Sequence, residues 1–421
     1  MTLTRFLRPL AIALALVGAT LLAPMARADK IILKDGTVLE GKITREGDRF
    51  YFITVKIGGI EENKFVNRDD VKSVQRDDPT PKTDEAIKKA EEAKEAAAKD
   101  ESRHDGATRI CILNFGPPSD WQGQYGNEVG VEISAQAFKD VIPMLEKAKV
   151  DVVVIRVNSG GGYGLEADKF RDLFVKEYKP RFRTVAWIES AISAAAMSPW
   201  VLDEMYFFRK GNIGACTGWY GPLIAVKGAE LEEMLFKMEK ASAYGKKDPA
   251  IMRAMQIMKP LSVDIDENGE VHWRQDEDGQ FVLNKKGHIY TMTTSEAMKY
   301  KFGRGVADTK EELVKAMGIQ EAEFVAQDAS DYIDKSIRDN DAVDKHNKVV
   351  FQKYQLAMSL AEQLPDKERR GIELAKARRL LSEIRGFVKL NPNFQFHMGV
   401  DLSPEWFKAQ EDEIKRLASL P

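Results

Sequence analysis

Thiols and imidazoles are scarce in this sequence. Its 421 residues include two cysteines, Cys111 and Cys216, and five histidines. Two cysteines cannot make a disulfide framework. They read as buried thiols, and a Cys111–Cys216 bridge is allowed but not implied. No spacing of His, Cys, Asp and Glu marks a metal, so neither a metal nor a cofactor is expected. His346 and His397 stand isolated, which suits core or surface roles. Positive charge is not in excess either. With a net charge of −3, the basic footprint that nucleic acid requires is missing. No stretch after residue 28 has the roughly 20 consecutive apolar residues of a membrane-crossing helix. Internal repeats are absent.

What is present begins with a secretory pattern over 1–28. Arg5 and Arg8 precede an apolar run over 10–22, and Ala26-Arg27-Ala28 is a small-x-small cleavage site. The expectation is an exported protein, periplasmic or extracellular, cleaved after Ala28. An uncleaved amphipathic anchor is the alternative. Residues 29–78 alternate apolar and polar positions around Asp35-Gly36, a hairpin signal, and read as a small SH3-like or Sm-like β module. Phe50, Tyr51 and Phe52 belong there to a core or, as the alternative, to a binding face. Residues 79–106 are a charged helix-forming linker, a solvated spacer or weak coiled coil.

The informative stretch lies in the next region, 107–318. An apolar strand over 152–157 ends in Gly160-Gly161-Gly162, and a helix with Leu165, Phe170, Leu173 and Phe174 follows. A second strand over 184–188 leads to a helix of small residues over 190–196. Apolar strands alternating with helices predict a parallel sheet covered on both faces, an α/β domain. A glycine turn at a strand's carboxyl end, beside a helix N-terminus, is where such sheets bind ligands. Trp121 and Tyr125 lie in a loop over 117–131 that either covers a cleft or is a surface excursion. Residues 261–293 read as a meander of short strands. Asp264, Asp266, Asn268 and Gly269 imitate a calcium loop, but Gln275 stands where the bidentate glutamate belongs, so a hairpin turn is the better reading. Residues 319–421 read as a helical tail for packing or oligomerisation. Its breaks are expected at Leu364-Pro365 and Asn391-Pro392, and its last helix starts at Ser403-Pro404.

Four segments in order, VNSGGG, SAAAMSPW, GNIGACTG and TMTTSEAMKYKFGRGVAD, resemble the Clp protease/crotonase superfamily. Within it, the signal peptide peptidase A and NfeD-type Ser-Lys peptidases are the most similar. The resemblance spans about 108–318. It implies a Clp/crotonase-like sheet, a peptide or unfolded-protein substrate and a homo-oligomer, while a partner, peptidoglycan or a membrane surface stay open as ligands of the β module and the helical tail.

Laid on that pattern, the nucleophile position falls at Ala196, whose methyl group cannot attack a carbonyl. Oxyanion and peptide contacts fall on Gly161, Gly162 and Met197. Ser193 is the candidate substitute nucleophile. It lies one helical turn back, displaced by about 4.5 Å along the axis at 1.5 Å per residue. Ser198 is rotated away and precedes a proline. The Clp-type histidine is missing, and Cys216 stands in its region. The resemblance therefore implies a lysine base, with Lys247, Lys246 and Lys240 as candidates.

Three functions stay open. The first is an exported peptidase homologue without its serine, a pseudoenzyme for peptide binding or assembly; Ala196 and the absent histidine favour it. The second is an active Ser-Lys endopeptidase using Ser193. The third is an acyl-thioester enzyme of crotonase type, for which only Glu189 and Glu166 offer carboxylates near the turn.

Overall fold

The computed structural model describes residues 28–47, 49–57, 60–76, 106–220 and 224–421. The expected signal segment before Ala28 and nearly all of the 79–106 linker lie outside the described residues. The chain divides into two units, 1–98 and 99–421. Among the described residues, no helix is long and apolar enough to cross a membrane.

The first unit is an antiparallel five-stranded sheet. Its strands are β1 (Asp29–Leu33), β2 (Val38–Glu46), β3 (Phe50–Ile57), β4 (Ile60–Asn67) and β5 (Val71–Gln75), in the order β4-β3-β2-β1-β5. Ile31, Tyr51, Ile53, Val55 and Val66 form its core. Side chains alternate across a strand, so Phe50 and Phe52 point the other way and stack with Phe65. All three are buried, so the aromatic run serves packing.

The second unit is built on one largely parallel sheet. Its strands are β6 (Thr108–Phe115), β8 (Val152–Ser159), β10 (Arg183–Ile192), β11 (Glu204–Phe207), β12 (Asn212–Gly214), β18 (Thr291–Thr293), β19 (Gly305–Val306) and β20 (Ala322–Phe324). The main path runs β18-β12-β10-β8-β6-β20, and β11 pairs with β10 and β19. Only β18 is antiparallel to its neighbour. The first half of β10 pairs with β11 and its last two residues pair with β12. It therefore runs on to Ile192, four residues past the expected end. Both faces are covered, and Phe115, Phe138, Phe170 and Phe174 stack on one of them.

The rest is added at the rims. A two-residue strand, β7 (Glu128–Val129), pairs in parallel with β9 (Gly161–Gly162). A small hairpin joins β13 (Trp219–Tyr220) to β14 (Ile224–Ala225). The meander forms its own sheet from β15 (Leu261–Ile265), β16 (Val271–Arg274) and β17 (Phe281–Asn284). Asp266 closes the first turn there by accepting from the amides of Asn268 and Glu270, which is the expected hairpin.

The helical tail does not stand apart at residue 318. β20 pairs with β6, and the long helix Gln327–Gln363 packs on the sheet through Ala329, Ile333 and Ile337. Helices Lys367–Leu390 and Pro404–Ser419 follow, capped by Asp366 and Ser403.

His397 is not isolated. Its Nδ1 lies 2.7 Å from Asp344 Oδ1 and its Nε2 2.6 Å from Glu128 Oε2. Both nitrogens donate only in the imidazolium form. The bonds to Asp344 and Glu128 push its pKa up from 6.5 to about 9. A raised pKa means stability that is fully present below 6.5 and lost as pH rises through 9. Chemical denaturation is expected to show that loss between pH 6.5 and 9 in the natural chain. In His397→Gln the slope disappears; an unchanged slope would contradict the pairing.

Candidate functional site

β10 ends at Ile192, and Ser193 turns the chain at φ 54°, ψ −124° as N-cap of the short helix Ala194–Met197. A residue with a Cβ held there costs roughly 1–3 kcal/mol and persists only where its surroundings impose it. A strand, a strained turn and a helix are the parts that lift a serine oxygen above the carboxyl edge of a parallel sheet. The turn is held from three directions. Ser193 N donates to Gly214 O at 2.9 Å, and Ser193 O accepts from Ala196 N at 2.9 Å and Met197 N at 3.1 Å. The Cys216 thiol points at the same carbonyl from 3.7 Å. Ser193 stays partly exposed, while the four helix residues after it are buried.

The glycine turn faces this serine. A Cβ on Gly161 would fall 2.6 Å from Ser193 Cβ and 3.2 Å from its Oγ. Gly161 also has φ +110°, so both space and backbone require glycine. Gly162 is closed in by Val129 O, 2.2 Å from where a Cβ would be. The Gly161 N–H donates to Ser159 Oγ at 3.2 Å.

These positions correct the expected assignment. Ala196 is fully buried and faces the core, so a serine there would not meet a substrate. The helix begins at Ala194, four residues later than its small residues suggested, and the turn falls on Ser193. Met197 is no oxyanion donor, because its N–H closes the helix onto Ser193 O. The residue after the turn is Ala194, at the first helical position, where an N–H has no acceptor within the helix. Ser198 is buried, with its hydroxyl on Ala194 O at 2.7 Å.

Among the described residues, none of the candidate bases is hydrogen-bonded to Ser193. Lys247 Nζ donates to the carbonyls of Trp200 (2.8 Å), Leu202 (3.0 Å) and Gly245 (3.1 Å). Those three bonds occupy all three of its hydrogens. Burial, with Lys179 beside it, lowers its pKa to about 7, and Asp203 opposes the shift. Lys179 caps the adjoining carbonyls of Val201 and Tyr244. The pair ties the end of the helix Ala229–Tyr244 to the segment after the serine helix, which is a structural task. Lys246 and Lys240 are exposed, and Lys240 lies over the Phe236 ring.

The other candidates are also occupied. Cys216 is buried, and desolvation pushes its thiol pKa up, away from thiolate. Glu189 accepts from Arg156 and from Ser119 N. Glu166 accepts from Ala135 N and Lys169. Neither carboxylate is placed as a free acid or base. Asp266, Glu270 and His272 lie close enough together to hold a cation, but they sit on the rim turn of the meander.

Lys227 is a lysine that the sequence reading did not single out. It is exposed at the exit of the β13–β14 hairpin, next to Val226, whose N–H donates to Gly218 O at 2.9 Å. That hairpin begins just past Cys216. The available signal was a lysine immediately before the glycine that caps the helix Ala229–Tyr244.

No family model matches the sequence, and no curated protein is similar to it. Solved structures are similar in fold. A lysine-to-alanine variant of the 1510-N membrane-bound stomatin-specific protease, in complex with a substrate peptide, is 13% identical with TM-score 0.37, over 54% of this chain and 98% of that one. The 1510-N membrane protease specific for a stomatin homolog from Pyrococcus horikoshii is 12% identical with TM-score 0.33, over 50% and 79%. ClpP1 from Listeria monocytogenes is 12% identical with TM-score 0.30, over 49% and 94%. Likeness at this level says nothing of substrate or activity.

The strain at Ser193 can be measured. Glycine in place of alanine normally costs about 0.5–1 kcal/mol. At a site with φ 54° the order should reverse, with Ser193→Gly at least as stable as Ser193→Ala in thermal unfolding. The ordinary order would mean that the turn is unstrained.

Proposed function

We propose that this chain is a serine peptidase acting on extended peptide or unfolded protein segments, with Ser193 as its nucleophile. The observation that carries the reading is the conformation of Ser193, held in a strained turn directly over Gly161. In this reading Ser193 Oγ attacks the scissile carbonyl carbon and gives its proton to a base. The carbonyl oxygen becomes an oxyanion that accepts from the N–H groups of Ala194 and Gly161. The Gly161 N–H must exchange its long bond to Ser159 Oγ for that oxygen. The base then protonates the departing amine, and water releases the acyl group.

Lys227 is the base in this proposal. Leu165, Trp219 and Ile224 are exposed apolar side chains that follow the glycine turn and Cys216 along the chain. They suit an apolar peptide. Export with cleavage after Ala28, a periplasmic or extracellular site, homo-oligomers and contact with a membrane surface complete the proposal.

The second reading is peptide binding without cleavage. It is favoured by the Ser193 hydroxyl, which has no hydrogen-bond partner among the described residues. The test is cleavage of an unfolded protein substrate by the mature chain. Ser193→Ala should lose activity by about a thousandfold or more, and Lys227→Ala by about a hundredfold. Ala196→Ser should gain nothing and lose roughly 1–3 kcal/mol of stability through its buried hydroxyl. Cleavage that survives Ser193→Ala rules out the assignment. A chain that binds the substrate and never cuts it supports the second reading.

A further inference from the structure

The C-terminal tail reaches the glycine turn through one intermediate, the segment 124–132. On one side, β7 in this segment pairs Glu128 with Gly161 and Val129 with Gly162. Tyr163 N donates to Val129 O at 2.9 Å, and Ser159 Oγ donates to Asn127 O. On the other side, the tail takes hold of nearly every second residue. Lys345 donates to Gln124 O at 2.9 Å, and Asp341 accepts from Gly126 N at 2.8 Å. His397 pairs with Glu128 at 2.6 Å. Asn391 and Asn393 both donate to Gly130 O, at 3.0 and 2.9 Å. Asn340 donates to Glu132 O at 3.2 Å.

A two-residue strand has too few ladder bonds to hold its own register. Its register on β9 is therefore set by what grips its far side. His397 is the centre of that grip, since it joins Glu128 to Asp344 on the long helix. Tyr163, beside the turn, is hydrogen-bonded to the same Glu128. Lys348 pairs with Asp344 behind it.

We propose that His397 is a positioning residue for the proposed peptidase site: through Glu128 and β7, the tail sets where the Gly161 N–H stands relative to Ser193. This inference rests on the reading of Ser193 as nucleophile only for its consequence, not for its geometry. The tail is then part of the site's construction, and anything that releases it weakens the oxyanion contact without touching Ser193.

The test uses the mature full chain and its His397→Ala variant, with two readouts. Hydrogen exchange followed by mass spectrometry reports protection over 127–130 and 161–163, with β6 and β10 as internal references. A serine-reactive fluorophosphonate reports the labelling rate at saturating and at low probe. The account expects exchange to quicken about tenfold or more in both segments while the references stay unchanged. It expects the maximal labelling rate to fall by about tenfold to a hundredfold, the range a small misplacement produces, with half-saturation little changed. Added imidazole should restore part of both. Asn393→Ala breaks the same grip elsewhere and should shift both readouts the same way, which covers a His397→Ala chain that fails to fold. Unchanged exchange over 161–163 in a folded variant overturns the proposal. If the natural chain takes no label, the peptidase reading fails, and the exchange result still decides this one.

Discussion

The rest of the second unit depends on one contact, that of Gly161 with Ser193. Two strands, β8 and β10, pair from Val152 opposite Arg183 to Ser159 opposite Ala191, with a bulge at Glu189, and finish within a residue of each other. One then turns through glycines and the other through a strained serine. The two turns touch so closely that a single added methyl would fall 2.6 Å from the serine. Neither turn is favourable alone. The serine's backbone is strained, and three glycines in a row are costly to order. Each is held by long-range partners: Gly214 and Cys216 behind the serine, and β7 in front of the glycines. Strain that survives in this way marks a place where geometry is imposed.

The same logic explains the size of the tail. Much of its buried surface packs helix on helix, with Leu374, Ile384 and Phe387 inside. A set of its polar groups, Lys345, Asp341, Asn340, Asn391, Asn393 and His397, holds the segment before β8. Arg338 lies 4.2 Å over the Trp121 ring, and Trp121 stacks edge-on with Tyr125. The loop over 117–131 is therefore clamped to the long helix rather than lying loose over a cleft.

Much of this was legible in the sequence, and what was not has a physical reason. Apolar strands, the glycine turn, the hairpins of the meander and the tail's helix breaks all write local patterns, and they appear where those patterns put them. The start of the serine helix does not. From Ser190 to Ala196 every residue but Ile192 is small, so no hydrophobic period marks where strand gives way to helix. β10 runs on to Ile192, and no residue type announces a serine with positive φ. The strained turn therefore falls three residues before Ala196, the position that the motif pattern marked. Lys247 shows the reverse limit. Its setting before a helix suggested chemistry, but three carbonyls from distant residues claim its ammonium. His397 looked isolated because its partners lie 53 and 269 residues away in the chain.

The most direct test of the account is to locate the reactive residue chemically. The mature chain would be treated with a fluorophosphonate, digested, and its adduct placed by tandem mass spectrometry. The account predicts a single adduct on Ser193, lost on prior unfolding because the base and the oxyanion donors are assembled only in the folded chain. An adduct on Ser198 or elsewhere, or none under conditions that label an active serine hydrolase, would contradict it.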